Sequence, residues 1–202
     1  MAVVTKNRYF RGGTLKFTAQ KLSTHFKYLE HRPRQQQELE GREAETREDR
    51  YLFTAESDHV LRRQAVDDIM SHTHQRVNYH HLVLSPGEED QVSDLRQWTR
   101  AVMADLEQWK QQRLVWYAVQ HRNTAHPHVH VVIAGAAEQY GTDRQYPVVL
   151  RDNPDFDFVK ARGREHSDYA FYQTIQQATQ ALEGEDELMG LPSAEKEQPV
   201  LR

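Results

Sequence analysis

The stretch that most constrains this chain is Gln120-His121-Arg122-Asn123-Thr124-Ala125-His126-Pro127-His128-Val129-His130-Val131-Val132-Ile133. Leu114 to His121 is apolar and rich in aromatic and β-branched residues, which predicts a strand, and His128 to Ile133 predicts a second. The six residues between them contain Asn, Thr and Pro and have the size of a hairpin connection. Side chains alternate along a strand, so His128 and His130 share a face, and a register that opposes His121 to His128 adds His121 to it. Directly opposed Cβ atoms lie about 5 Å apart and diagonal ones about 7–8 Å. Three imidazoles at such spacings can converge on one ion, each at roughly 2 Å. Val129, Val131 and Ile133 then point the other way, into a core. Imidazole suits Zn, Mn, Fe, Co or Ni, and three neutral ligands leave coordination positions open. The structural alternative is a strand with histidines on a solvated face. That reading serves for one histidine and poorly for three spaced H-x6-H-x-H.

At 202 residues, with 38% hydrophobic and 28% charged residues, one compact domain with polar segments outside its core is the expected organisation. Cysteine is absent, which excludes disulfides and thiolate chemistry. No apolar run approaches the length of a membrane span, and the N-terminus has no signal-peptide core, so no membrane association is expected. The net charge of −4 hides an asymmetry. Residues 1–34 carry eight Lys/Arg against the single acid Glu30, whereas the last 20 residues carry six acids against two bases. A basic segment on a nearly neutral chain suits a phosphate-tracking surface.

In chain order, residues 1–18 read as a basic segment with a turn at Gly12-Gly13. Ala19 to His31 reads as a helix stopped before Pro33, with Leu22, Phe26 and Leu29 as its apolar stripe. Its neighbouring face carries Lys21, His25, Tyr28 and Arg32. Arg34 to Arg50 reads as an exposed charged stretch, Tyr51 to Phe53 as a short strand, and Ser57 as the cap of a helix running to Ser71. His72 and His74 receive no role. Tyr79 to Ser85 predicts a strand, and Glu88 to Gln112 a long amphipathic helix with Val92, Leu95, Thr99, Val102, Leu106 and Trp109 inward. After the histidine hairpin, Tyr146 to Leu150 predicts an edge strand, and Ser167 is expected to cap a last helix to Leu182. The acidic remainder, 183–202, is expected to be a disordered tail beside a domain of residues 1–182. Hairpin-joined strands with long amphipathic helices between the others make this an α+β chain, a largely antiparallel sheet with helices packed on it.

These residues resemble a known family. His128-Val129-His130 is the paired-histidine motif of the HUH endonucleases. The longer string HRNTAHPHVHVVI is similar to motif III of conjugative relaxases, particularly the P-type mobilisation family that includes the T-DNA border endonuclease. The metal ligands are then His121, His128 and His130. Ala19-Gln20 through Lys27-Tyr28-Leu29 resembles motif I and places the nucleophile at Tyr28. His81 to Ser85 resembles motif II and makes Ser85 a contact to DNA near the cut. Asn123 stands where an Asp is usual and Ala134 where an Asn often ends the motif. Asn hydrogen-bonds but accepts no proton, which leaves His126 as the nearby substitute base. The resemblance covers residues 15–135.

What the resemblance implies is a five-stranded antiparallel sheet carrying a divalent ion, Mg or Mn first, with Zn, Ni or Co compatible. It implies nicking and rejoining of one DNA strand at an origin of transfer through a 5′-phosphotyrosyl intermediate, in conjugative mobilisation. Lys21, His25, Arg32 and Ser85 are the expected DNA contacts, and the substrate is expected to be single-stranded at the cut. An accessory DNA-binding protein and a type IV secretion coupling protein are the implied partners, and the bacterial cytoplasm the implied location, with export alongside the transferred DNA. Two other readings stand beside this one. A rolling-circle initiator or transposase of the same superfamily would use a tyrosine after the histidines, Tyr169 or Tyr172. Asn123 and Ala134 motivate a metal-containing DNA-binding module without catalysis.

Overall fold

The computed structural model describes residues 3–31, 50–86, 92–122 and 127–167. Its elements are β1 (Val3–Phe10), α1 (Leu15–Glu30), α2 (Arg62–Ser71), β2 (Tyr79–Ser85), α3 (Leu95–Lys110), β3 (Gln112–Arg113), β4 (Trp116–His121), β5 (His128–Ala134), β6 (Ala136–Gln139) and β7 (Gln145–Pro147). A further helix, α4, covers 155–167. The fold is α+β with antiparallel pairing throughout. The main sheet has four strands in the order β1-β2-β5-β4, and β3-β6-β7 form a separate small sheet. The fifth position of the main sheet, beyond β4, is reduced to one bridge, in which Phe53 and Ala118 exchange both backbone hydrogen bonds at 2.9 Å.

Alternation decides what each sheet face meets. Val129, Val131 and Ile133 of β5 join Leu82, Leu84 and Ala118 in a core closed by α3 and α4. Tyr79, Tyr117, Val119, Val132 and Ala134 face the other way, into a second core with Leu22, Phe26 and Leu29 of α1 and Ala65, Val66 and Ile69 of α2. The sheet is therefore covered on both faces. The histidines emerge at the margin of the α1 side.

The segment read as a basic arm contains β1, which lacks an apolar face of its own and gains its order by pairing along β2. α1 starts four residues earlier than the apolar pattern suggests, because Thr14 caps it and accepts from Phe17 N at 3.3 Å. Ser57 does not cap α2. Its hydroxyl serves a turn at His59, and the helix begins at Arg62 without a side-chain cap. α3 begins at Leu95, capped by Asp94, and ends at Gln111 in the left-handed region at φ 53°. Trp109 is not core but 46% exposed, stacked on Phe158, with its indole N–H donating to Asp155. Ser167 lies inside α4, where its hydroxyl donates to Gly163 O at 2.8 Å, instead of starting a helix. The expected helix to Leu182 and tail 183–202 lie outside the described residues. Gly135 follows β5 where a Cβ would lie 1.8 Å from Val77 O, so no other residue fits that crossing.

Candidate metal centre

β4 and β5 pair in the register that opposes His121 to His128, and His130 follows two residues along the same face. The ligating atoms of the three side chains all lie within 4.8 Å of one another. Their ring centroids are 4.8–5.3 Å apart and mutually tilted, so the nitrogens converge instead of stacking away from each other. His121 is buried; His128 and His130 are half-buried.

Each of two rings is oriented from behind. His121 Nε2 donates to Leu29 O of α1 at 2.8 Å. Leu29 belongs to the last turn of a helix, where carbonyls lack intrahelical partners. His121 therefore satisfies the end of α1 and, with the proton on Nε2, turns Nδ1 toward the cluster. His130 Nδ1 is 3.0 Å from His81 Nε2, and the two rings stack at 5.1 Å. His81 in turn meets the edge of His25 at 4.6 Å. Three strands and one helix thus converge on the cluster, β2 through His81, β4 and β5 through the triad and α1 through Leu29 and His25.

Burial favours the neutral form of His130, His81 and His25. Burial, and then the positive charge His121 and His128 can carry, push His130 down to about 2. Burial, with His25 and Arg8 behind it, lowers His81 to about 4, and burial followed by Arg8 lowers His25. A neutral imidazole is what a metal ion requires. His130 Nε2 is buried with no hydrogen bond among the described residues. An orphaned acceptor beside two converging imidazoles fits a divalent ion of borderline hardness.

The sequence-predicted residues are distributed as follows. His121, His128 and His130 come together. Tyr28 stands on α1 one residue before Leu29, 57% exposed, and three residues after His25 on the same flank of the helix. Lys21 lies further up that flank, its Nζ over the Phe10 and Phe17 rings at 5.5 and 5.9 Å. His25 packs inward against His81 instead of lying on an open cationic face. Ser85 is buried, and its hydroxyl donates to Pro127 O at 3.0 Å, tying down the approach to His128. Arg32, Asn123 and His126 lie outside the described residues. Sequence reasoning missed His81 as the partner of His130, and Arg8, which pairs directly opposite His81 and is an exposed cation beside the cluster. Only the neighbourhood of β2 with β5 and β1 reveals them, and that contact is remote in sequence.

Comparison with known proteins gives one match. No curated protein and no solved structure matches the chain. The family model described as relaxase, MobA/VirD2-like, nuclease domain, matches residues 28–143, a span that holds all three clustered histidines, His81 and Ser85. The match takes in more than half of the chain and agrees with the antiparallel α+β fold, and on it the protein belongs to the relaxase family of the HUH superfamily.

Proposed function

We propose that this relaxase nicks one DNA strand at an origin of transfer and rejoins it through a 5′-phosphotyrosyl bond to Tyr28. Family membership itself implies nuclease chemistry on DNA during mobilisation and binding of single strands. The finer reading rests on one observation. The hydrogen bond from His121 Nε2 to Leu29 O fixes the last turn of α1, and with it the backbone of Tyr28, to a metal-ligand strand.

His121, His128 and His130 would hold the ion, which when bound supplies Lewis-acid neutralisation of charge on a phosphate oxygen. The chain's own groups do the rest. Tyr28 Oη loses its proton and bonds to phosphorus, the bond from phosphorus to the 3′ oxygen breaks, and that oxygen takes up a proton. Reversal of the same exchange rejoins the strand, because the phosphotyrosyl bond retains the phosphodiester's free energy. Asn123 can orient but not accept the proton, so His126 is assigned that task. Arg8, Lys21 and Arg32 bind flanking phosphates, an attraction that weakens steeply with salt. An accessory DNA-binding protein and a secretion coupling protein are the partners assigned, with a bacterial cytoplasmic location. No described helix is long and apolar enough to cross a membrane.

The test uses Mn²⁺ and single-stranded oligonucleotides tiled across candidate transfer origins. Trypsin releases residues 28–34 as one peptide, since Arg32 precedes Pro33. Mass spectrometry is expected to find a 5′-phosphonucleotide on that peptide, with Tyr28→Phe abolishing it. An adduct that survives Tyr28→Phe and disappears in Tyr169→Phe or Tyr172→Phe establishes the initiator reading. Retained sequence-specific binding without any adduct on the cognate strand establishes the non-catalytic one.

A further inference from the structure

At the start of α1, about two to three helical turns from Tyr28, the fold forms a concavity of about 120 Å³. Its walls are aromatic. Phe10 and Tyr79 stack at 4.5 Å with an interplanar angle of 20°, and Phe17 stands at the mouth, 59% exposed. Arg11 and Lys21 line the same space, and Lys21 Nζ is poised over both the Phe10 and Phe17 rings. No Asp or Glu occurs in residues 1–29, so the surroundings are cationic without compensation from the adjoining sequence.

The cavity is built, not incidental. The Gly12-Gly13 turn that forms its rim has both glycines in the left-handed region, at φ 76° and 87°. A Cβ on Gly13 would come within 3.2 Å of the Phe17 ring. Asn78 Nδ2 ties the rim by donating to Gly12 O at 3.0 Å and to Thr18 Oγ1 at 3.3 Å. The Tyr79 ring is almost wholly buried, yet its hydroxyl has no hydrogen-bond partner among the described residues. Tyr79 is therefore a wall of the cavity, and the exposed Phe17 ring beside two cations suits a ligand that is flat and attached to negative charge.

We propose that the Phe10–Phe17–Tyr79 cavity is a subsite for one unpaired base of the DNA strand, a short distance from the scissile phosphate. The inference rests on the nicking reading for the identity of the strand, and on the cavity for everything else. Phe17 supplies a stacking face, and Arg11 and Lys21 the charge that holds the adjoining phosphates. Phe17, Lys21, His25 and Tyr28 follow each other along one flank of α1, which places the cavity about 10–17 Å along the helix axis from the tyrosine. A strand lying on that flank passes from the one to the other.

The test is fluorescence anisotropy of the whole chain in chelator at low salt, with three 20-nucleotide probes: oligo-dT, oligo-dA and an abasic strand with the same phosphates. The unaltered protein is expected to favour a base-bearing strand. Phe17→Ala is expected to weaken that strand by about 5- to 100-fold while leaving the abasic strand within about twofold, and Phe17→Trp to restore it. Base-dependent binding that Phe17→Ala leaves unaltered overturns the subsite alone, because the Tyr28 adduct does not depend on it. Failure of the unaltered protein to bind any single strand overturns the nicking reading and the subsite with it.

Discussion

The bond between His81 and His130 gives the sharpest test of the candidate metal centre. An ion on His130 Nε2 leaves the ring's one proton on Nδ1, so His81 Nε2, 3.0 Å away, must accept it. His81→Phe keeps a ring to stack on His130 and deletes only the acceptor, stranding a part-buried N–H. Stranding such a donor costs about 1–3 kcal/mol. Loss of a partner behind a metal-bound imidazole lowers metal affinity about 10- to 100-fold, and each tenfold is about 1.4 kcal/mol, so the two scales agree. Charge does not confound the comparison at pH 7.5. His81 sits at about 4 because burial outweighs all else, and removing a neutral ring leaves the field on the cluster unchanged.

Calorimetric titration with Mn²⁺ and Ni²⁺ is therefore expected to show affinity lowered at least tenfold in His81→Phe and largely recovered in His81→Gln, whose amide oxygen can accept. His121→Ala, which removes a ligand, is expected to abolish binding. Affinity in His81→Phe within twofold of the parent, with the melting temperature intact, would refute the role assigned to His81.

Three further outcomes concern stability. Gly135→Ala sets a Cβ 1.8 Å from Val77 O, a clash between backbones that cannot relax locally; about 3 kcal/mol is expected to be lost, read as a melting temperature roughly 6–12 °C lower. Asp155 accepts from Trp109, Lys110 and Arg151 N and is itself buried; Asp155→Ala leaves the Lys110 ammonium without its partner, for an expected cost of about 3 kcal/mol in urea unfolding, and a cost under about 1 kcal/mol contradicts the structure. In chelator, histidines of the unfolded chain take up protons near pH 6.5, whereas folded His81 does so near 4 and His130 near 2. Between pH 6.5 and 4.5 the unfolded state thus binds more protons, and stability falls on acidification by up to about 1.4 kcal/mol per pH unit for each histidine. His81→Phe should flatten part of that slope, and a level profile contradicts the neutral cluster.

What could be read from the sequence divides by range. The triad depends on a hairpin six residues wide between strong strand formers, and local pairing rules place His121 opposite His128 as observed. The stripes of α1 and most of α3 follow the same local logic. His81, His25 and Arg8 join the site only because β2 lies between β1 and β5, and no local pattern encodes that order. β1 escaped notice because alternating cations and neutral residues carry no apolar face. α4 was missed because its inward side holds Gly163 and Ser167 beside Phe156 and Val159, and the small residues carry little hydrophobic signal; Trp98 Nε1 donates to Gly163 O at 2.9 Å. The starts of α1 and α3 were displaced because the capping side chains are Thr14 and Asp94, and the apolar pattern alone does not select among candidate caps.

The cluster also places a condition on the fold as a whole. Three imidazoles crowd together with His81 at the margin of the second core, with a buried acceptor on His130 that no described group satisfies. Such a site costs stability when empty of an ion and returns it when one binds the folded chain alone. At a hundredfold excess over the dissociation constant, binding contributes about 2.7 kcal/mol, and for a chain of this size that raises the melting temperature by roughly 5–11 °C. The gain should not stay within the hairpin. Fixing His121 Nδ1 on an ion polarises its Nε2–H and strengthens the bond to Leu29 O. Amide exchange is therefore expected to slow in the last turn of α1, residues 27–31, together with β4 and β5, and to remain as it was in α3. The His121→Ala variant should lose both the thermal shift and the protection at α1. Protection confined to β5, with α1 exchanging at an unchanged rate, would mean that the helix end bearing Tyr28 does not register the ion, and that the Leu29 bond is a packing contact without mechanical consequence.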